Sequence, residues 1–345
     1  MFRGVLKHVA ILSETNEYAT LSIYNHTLTL KTKYVNNIRT LLKSSNRIYR
    51  QKIRKCPISY KTYNDLAESV KVLIQKLPAY NINLVIGIPR SGMIPAYMIG
   101  AFLNIKVASL DEFISGISTR TGVRPLSKKP DLEHGNILIV DDSVSSGSSI
   151  QTVKERLMNS GLLSSNIIFS AVYATKDATK IVDYYGEIVH HPRLFQWNYL
   201  HHGFLEYACV DIDGVLCVDP TPIENDDGDQ YLQFLKNAKP LYKPEYKIYA
   251  LVTSRLEKYR PQTEIWLKKH GIQYEHLYML DLPSAEDRRR LDSHASFKAE
   301  IYSSLKSAEL FIESEEKQAE TIALIAKKPV ICVATDRYYS GKDGE

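Results

Sequence analysis

Two aspartates followed at once by a loop of serines stand near the centre of the chain, where Ile137 to Ser149 reads ILIVDDSVSSGSS. Four apolar residues make a buried strand, and Asp141 and Asp142 sit at its C-terminal edge. The hydroxyls of Ser143, Ser145, Ser146, Ser148 and Ser149 then gather around Gly147, ahead of a helix carrying Ile150, Val153 and Leu157. Backbone N–H groups and hydroxyls converging at a helix N-terminus, where the dipole favours an anion, form a phosphate cradle. Gly147 lets the backbone approach closely. The two acids can accept hydrogen bonds from vicinal hydroxyls, so the pair suits a ribose 5-phosphate. A second carboxylate pair lies in Tyr207 to Cys217, YACVDIDGVLC. An apolar strand ends in Asp211, strand alternation sends Asp213 to the same side, and Gly214 permits a sharp turn. One carboxylate can attack a phosphate while the other delivers a proton to the leaving oxygen.

The first run resembles the phosphoribosyl-pyrophosphate signature of type I phosphoribosyltransferases: an apolar strand, two acids, then Thr/Ser-x-x-Thr-Gly-x-Thr. Asp141 and Asp142 fall on the acids, Ser143, Ser146 and Ser149 on the hydroxyl positions, and Gly147 on the glycine. Serine in place of threonine keeps every hydroxyl. VIGIPRSGMIPA, from Val85 to Ala96, is similar to the family's pyrophosphate-binding loop. The resemblance implies that Arg90, Ser91 and Gly92 present donors to a diphosphate, with a non-proline cis peptide near Pro89–Ser91. Ser115 to Lys129 is polar, with two glycines and four cationic residues. It suits the mobile loop that closes over the diphosphate in this family, Arg120 or Arg124 reaching the leaving group. A response-regulator receiver domain shares the acidic pair, but it needs a phosphate-accepting aspartate and a lysine further on, and nothing suitable follows at that spacing.

The second run resembles the first motif of haloacid-dehalogenase-type phosphatases, and the remaining motifs follow in order. IYALVTSR, from Ile248 to Arg255, matches the second, which implies that Thr253 hydrogen-bonds the transferring phosphoryl group. Lys298, in HASFKAEIY, fits the third and would neutralise the nucleophile and phosphate. LFIESEEKQA, from Leu310 to Ala319, fits the fourth, with Glu313 as the acidic metal ligand. Ser314 takes the place of the family's second acid, a role for which Glu315 is the nearest substitute. By this resemblance Mg²⁺ would be held by Asp211, Glu313 and the Asp213 carbonyl, with waters completing an octahedron. About forty residues separate Asp213 from Thr253, too few for a large cap. The site is then open to large substrates, or to closure by the neighbouring domain.

These motifs need strand ends and helix starts to hold them. Leu66, Val70, Leu73 and Leu77 share one helical face, with Asn64 or Asp65 as cap. Strand-loop-helix units follow at Leu84–Ile88 and Ile137–Leu157, with strand-like runs at Ile167–Tyr173 and around Ile188. The rhythm restarts after Glu206, with strands at Tyr207–Val210, Ile248–Val252, Leu310–Ile312 and Val330–Ala334, and a helix from Thr263 to His270 ending at Gly271. The fold class is α/β: two doubly wound, mostly parallel-sheet domains, the first of type I phosphoribosyltransferase fold and the second a Rossmannoid haloacid-dehalogenase fold with a small or absent cap. The expected boundaries are an N-terminal extension at 1–55, the first domain at 56–189, a connector at 190–204 and the second domain at 205–345. The extension holds a weakly alternating Leu21–Lys31, read as a strand pair, and six basic residues between Lys43 and Lys55, read as a solvated helix. The connector (HHPRLFQWNYLHHG, His190–Gly203) has four histidines but no carboxylate or cysteine to complete a metal set, so it reads as a surface connector packed between domains.

At 345 residues the chain has room for two domains, and its 44% hydrophobic and 24% charged residues fit an ordinary globular protein. A net charge of +5 suits anionic small molecules and does not demand nucleic acid. Cys56, Cys209, Cys217 and Cys332 show no paired metal spacing, which points to a reducing compartment. No signal peptide or spanning stretch is seen, so the expected location is cytoplasmic. The expected function is a bifunctional enzyme. It transfers phosphoribose from phosphoribosyl pyrophosphate to a nucleobase-like acceptor and dephosphorylates the nucleotide through an aspartyl-phosphate. Two alternatives remain: a nucleotide-sensing regulator that binds nucleic acid, and an end-processing phosphatase acting on nucleic acid. A homodimer is a family expectation, and no membrane partner is expected.

Overall fold

The computed structural model describes residues 57–116, 135–225, 227–284, 286–287 and 293–341, together with three strands nearer the N-terminus. Arg120, Arg124, Cys56 and the basic stretch Lys43–Lys55 therefore lie outside the described residues. The chain divides into two compact units, Met1–Pro57 and Ile58–Glu345. In the first, β1 (Val9–Glu14), β2 (Tyr18–Ile23) and β3 (His26–Lys31) form an antiparallel sheet in that order. The sequence pattern shows β2 and β3, and the structure adds β1 against β2.

The second unit begins with β4 (Ser59–Lys61) and α1 (Tyr63–Lys76). Thr62 caps α1: its hydroxyl accepts from the Asp65 N–H at 3.1 Å, and the Asp65 carboxylate accepts from the Thr62 N–H at 2.8 Å. Leu66, Val70 and Leu73 are buried along the face that periodicity marks. Then come β5 (Ile82–Gly87), α2 (Met93–Leu103), β6 (Lys106–Ser109), α3 (Leu110–Ile114), β7 (Asn136–Val144), α4 (Ser148–Asn159), β8 (Ile167–Ala174) and β9 (Tyr184–Ile188). The strands form one parallel sheet in the order β6-β5-β7-β8-β9. Continuous apolar runs in β5, β7 and β8 follow from having both faces covered. Gly87 at the end of β5 pairs with Val140 in β7, so the loops leaving these strands emerge side by side.

The remaining elements are β10 (Arg193–Phe195), β11 (Ala208–Val210), α5 (Asp229–Asn237), β12 (Ile248–Leu256), α6 (Arg260–Lys269), β13 (Tyr274–Leu280), α7 (Ser293–Ser304), β14 (Leu310–Glu313), α8 (Glu316–Ala326), β15 (Val330–Cys332) and β16 (Tyr338–Tyr339). The second sheet runs β13-β12-β11-β14-β15-β16, parallel except for β16. With β11 between β12 and β14, the residues that follow or end these strands collect at one edge.

The segment 190–204 packs beneath both sheets rather than lying on the surface. β10 pairs in parallel with β4, and alternation splits its side chains between two cores. Phe195 packs with Leu66, Val140 and Tyr173 under the first sheet, whereas Leu194, Tyr199 and Leu200 join Ile58, Val210 and Leu251 under the second. Cys209, Cys217 and Cys332 are buried free thiols. No helix among the described residues is long and apolar enough to cross a membrane.

Candidate functional site

At the first sheet, Asp141 and Asp142 lie in the C-terminal half of β7, followed in the strand by Ser143 and Val144, with only 7% and 4% of their surface exposed. Each carboxylate oxygen is already aimed. Asp141 accepts from the Asp142 N–H at 3.0 Å and from the Ser149 hydroxyl at 3.0 Å. Asp142 accepts from the Ser91 hydroxyl at 2.9 Å and from the Trp197 indole N–H at 2.7 Å. Ser91 thus ties the loop after β5 to the acids of β7, and Ser149 ties the start of α4 to them. Burial, and then the neighbouring Asp142, push the Asp141 carboxyl up to about 8.

Gly147 precedes α4 with φ of 78° and no side-chain cap, so the first N–H groups of that helix face the loop. A Cβ there would meet Ile181 at 2.7 Å. The Ser146 and Ser148 hydroxyls pair with each other at 3.0 Å on the exposed side, while Ser145 meets His191. Ser143 is half-buried within β7. Arg90 stands exposed at the tip of the neighbouring loop, and the Pro89–Arg90 peptide is cis, where the resemblance implied one. A Cβ on Gly92 would lie 2.6 Å from the Ile88 carbonyl oxygen and 2.9 Å from that of Val140. Both are backbone atoms that cannot swing aside. Gly92→Ala is therefore expected to lower stability by about 1–3 kcal/mol, as overpacking does. It should also weaken phosphoribosyl-ligand binding about tenfold, by pushing the loop off β7. Denaturant titration and calorimetric binding check the two effects.

At the second sheet, Asp211 follows β11, Glu313 ends β14, Thr253 lies in β12 and Lys298 comes from α7. The ammonium of Lys298, 2% exposed, donates to Asp211 Oδ2 at 2.6 Å, Glu313 Oε2 at 2.8 Å and Gln318 Oε1 at 3.0 Å. Burial, opposed by Lys298, pushes the Asp211 carboxyl up to about 8. Arg255, buried beside β11, donates to Asp213 through Nη2 at 2.6 Å and through Nε at 3.0 and 3.2 Å. Burial would raise the Asp213 carboxyl, but this guanidinium outweighs it and holds the group below the usual range. Asp213 is thus an ionised acceptor here, and giving a proton to a leaving oxygen first requires that it take one up. Asp211, Asp213, Thr253 and Lys298 line one cavity of about 280 Å³ with Asp219, Tyr231, His294 and Gln318.

The implied metal ligands are the Asp211 and Glu313 carboxylates and the Asp213 backbone carbonyl. Asp211 Oδ1 accepts from the Ile212 N–H, Glu313 Oε1 from the N–H groups of Ser314 and Glu315, and the other two oxygens of these carboxylates hold Lys298. Arg255 covers both carboxylate oxygens of Asp213 and leaves its implied ligand atom, the carbonyl, out of that contact. Glu315, the nearest substitute for the missing acid, caps α8 instead, accepting from the Lys317 and Gln318 N–H groups. Among the described residues, no three His, Cys, Asp or Glu side chains converge as a metal site. Arg255, Gln318 and Trp197 were given no role by sequence. A buried-charge argument finds the first only once Asp213 is known to be buried.

Residues 38–206 match the family described as the phosphoribosyl transferase domain. Xanthine-guanine phosphoribosyltransferase of Chromohalobacter salexigens is 27% identical over 124 residues, which cover 36% of this chain and 72% of that protein. Among solved structures, a purine phosphoribosyltransferase from Pyrococcus horikoshii is 23% identical with a TM-score of 0.31, covering 41% of this chain and 94% of its own. Helicobacter pylori xanthine-guanine-hypoxanthine phosphoribosyltransferase is 15% identical with the same score and the same coverage. The matched family span ends at residue 206, just before β11 and the rest of the second sheet.

Proposed function

From a phosphoribosyltransferase-type domain at residues 38–206, we propose that the first site binds phosphoribosyl pyrophosphate and transfers its phosphoribose to a purine-like base. The observation that carries this is the acid pair tied from both sides, by Ser91 to the loop after β5 and by Ser149 to the start of α4. The α4 N-terminus with Ser143, Ser145, Ser146, Ser148 and Ser149 receives the 5-phosphate, and Asp141 and Asp142 accept the ribose hydroxyls. Arg90, Ser91 and Gly92 face the diphosphate, with Arg120 or Arg124 closing over it. A ring nitrogen of the base attacks C1 of the ribose, the C1–O bond to pyrophosphate breaks, and pyrophosphate departs with the bonding pair. Purine bases lead the panel because the similar proteins carry purine names.

For the second site we propose phosphomonoester hydrolysis, supported by the lysine-bridged Asp211 in an open cavity beside Thr253. Asp211 attacks phosphorus, the ester P–O bond breaks, and the freed alcohol takes a proton that Asp213 has first acquired. Water then cleaves the aspartyl phosphate, returning Asp211 and releasing phosphate. Lys298 and Thr253 bind the phosphoryl oxygens. A nucleotide made at the first site is a chemically suitable substrate, and its hydrolysis draws a reversible transfer forward.

Release of pyrophosphate and of phosphate from phosphoribosyl pyrophosphate, over a panel of bases in magnesium buffer, tests both halves. One base should trigger pyrophosphate release that Asp141→Ala abolishes, and phosphate release that Asp211→Ala abolishes. Pyrophosphate release insensitive to Asp141→Ala removes the first reading. Absence of hydrolysis of any nucleoside monophosphate removes the second.

A further inference from the structure

Three side chains of the segment 191–197 reach the first site, although no signature contains them. His191 Nε2 meets the Ser145 hydroxyl at 2.9 Å. Arg193 Nη1 donates to the Val144 carbonyl at 3.4 Å, and Trp197 Nε1 donates to Asp142 Oδ2 at 2.7 Å. As the segment runs 191, 193, 197, its partners run 145, 144, 142, so it lies antiparallel along the phosphate loop like a strap. The indole is fixed in direction. It stacks on Phe195 at 5.0 Å and 11°, and meets Tyr63 on a tilted face at 5.6 Å; Phe195 stacks in turn on Tyr173.

The acids need this strap for a physical reason. A carboxylate as buried as Asp142 keeps one orientation only if its donors are themselves held, and its two donors are Ser91 and Trp197. Arg193, 7% exposed, lies over the Phe195 ring at 5.6 Å and so packs against the stack that holds the indole.

We propose that the strap belongs to the phosphoribose site, with Trp197 a positioning residue that aims Asp142 at the ribose hydroxyls. The inference rests on the first site's being a phosphoribosyl site. A packing role alone would affect every ligand of the domain alike, whereas an aiming role affects only ligands that carry the ribose hydroxyls.

The test compares calorimetric affinities for phosphoribosyl pyrophosphate and for pyrophosphate alone, in wild type and in Trp197→Phe. Phenylalanine keeps a ring against Phe195 but lacks the N–H. The ratio of the two affinities should fall about tenfold in the variant, and an unchanged ratio overturns the proposal. Should Trp197→Phe not fold, emission in Trp266→Phe decides, because the chain has two tryptophans and Trp197 is then the sole reporter. Phosphoribosyl pyrophosphate should shift that emission at the midpoint given by calorimetry. Binding without a shift counts against the strap. A wild type that binds pyrophosphate but gains nothing from the ribose defeats the phosphoribosyl reading itself, and the strap falls with it.

Discussion

Lys298→Met is expected to destabilise the protein by about 3–5 kcal/mol, because it removes the cation from a buried site and leaves both carboxylates behind. The ammonium satisfies three acceptors at 2.6–3.0 Å, and the side chains of Lys298, Asp211 and Glu313 are 2%, 6% and 0% exposed. Methionine matches the length of the stem but donates to none of them. Asp211 and Glu313 then face each other in a medium of low dielectric, with Gln318 Oε1 also unmet. The sign with pH follows. The Asp211 carboxyl stands at about 8 with Lys298 beside it and rises further without that cation, so the deficit grows as pH rises through about 8 and levels off below about 7. Urea midpoints from about pH 6 to about pH 9 check this, the m-value showing whether the variant unfolds as wild type does. A deficit under about 1 kcal/mol at pH 8 would mean that water reaches the cluster and that it is not the closed triad described. Any phosphomonoesterase activity should disappear in the folded variant, since Asp211 loses the cation that opposes burial and favours its ionised form.

What the sequence discloses is what local pattern encodes. An apolar run followed by acids marks β7 and β11; Asp211 follows β11, whereas β7 runs on through Asp141 and Asp142 to Val144. The parallel architecture follows from strands alternating with helices. β13 escaped because Glu275 and His276 break the apolar pattern of an edge strand, five of whose seven residues are exposed or half-buried. The roles of Arg255, Gln318 and Trp197 escaped for a different reason. Their partners lie 42, 20 and 55 residues away, and no periodicity relates an indole to a carboxylate across such a distance. The strap is an extreme case. His190–Gly203 reads from its histidines, proline and aromatics as a connector packed between domains, but nothing local shows that its apolar residues fill two cores while Trp197 reaches Asp142. A motif likewise names the acids Asp211, Asp213 and Glu313 but not the Lys298 and Arg255 contacts that their carboxylates make.

Asp141→Asn should make the protein more stable at pH 8 while stripping the first site of its ribose acceptor. Burial and the adjacent Asp142 hold the Asp141 carboxyl up at about 8, whereas an aspartate in the unfolded chain titrates near 3.9. Between about pH 4 and pH 8 the folded state therefore keeps a proton that the unfolded chain has released. With more protons bound in the folded state, stability falls as pH rises through this window. Asparagine carries no charge to desolvate. Its oxygen can still accept from the Asp142 N–H, and its NH₂ can donate to the Ser149 hydroxyl, which turns to accept. The variant should thus exceed wild type by about 1–3 kcal/mol at pH 8, with the advantage vanishing near pH 4. Thermal melts from pH 4 to 8.5 measure the difference directly. An advantage that does not grow with pH would show that Arg193 and the surrounding donors already keep Asp141 ionised at no net cost. The same variant should bind phosphoribosyl pyrophosphate at least about tenfold more weakly, because a carboxyl group able to ionise against the proposed ribose hydroxyls is replaced by an amide. A site that is less stable with its native charge than without it is one held for a ligand.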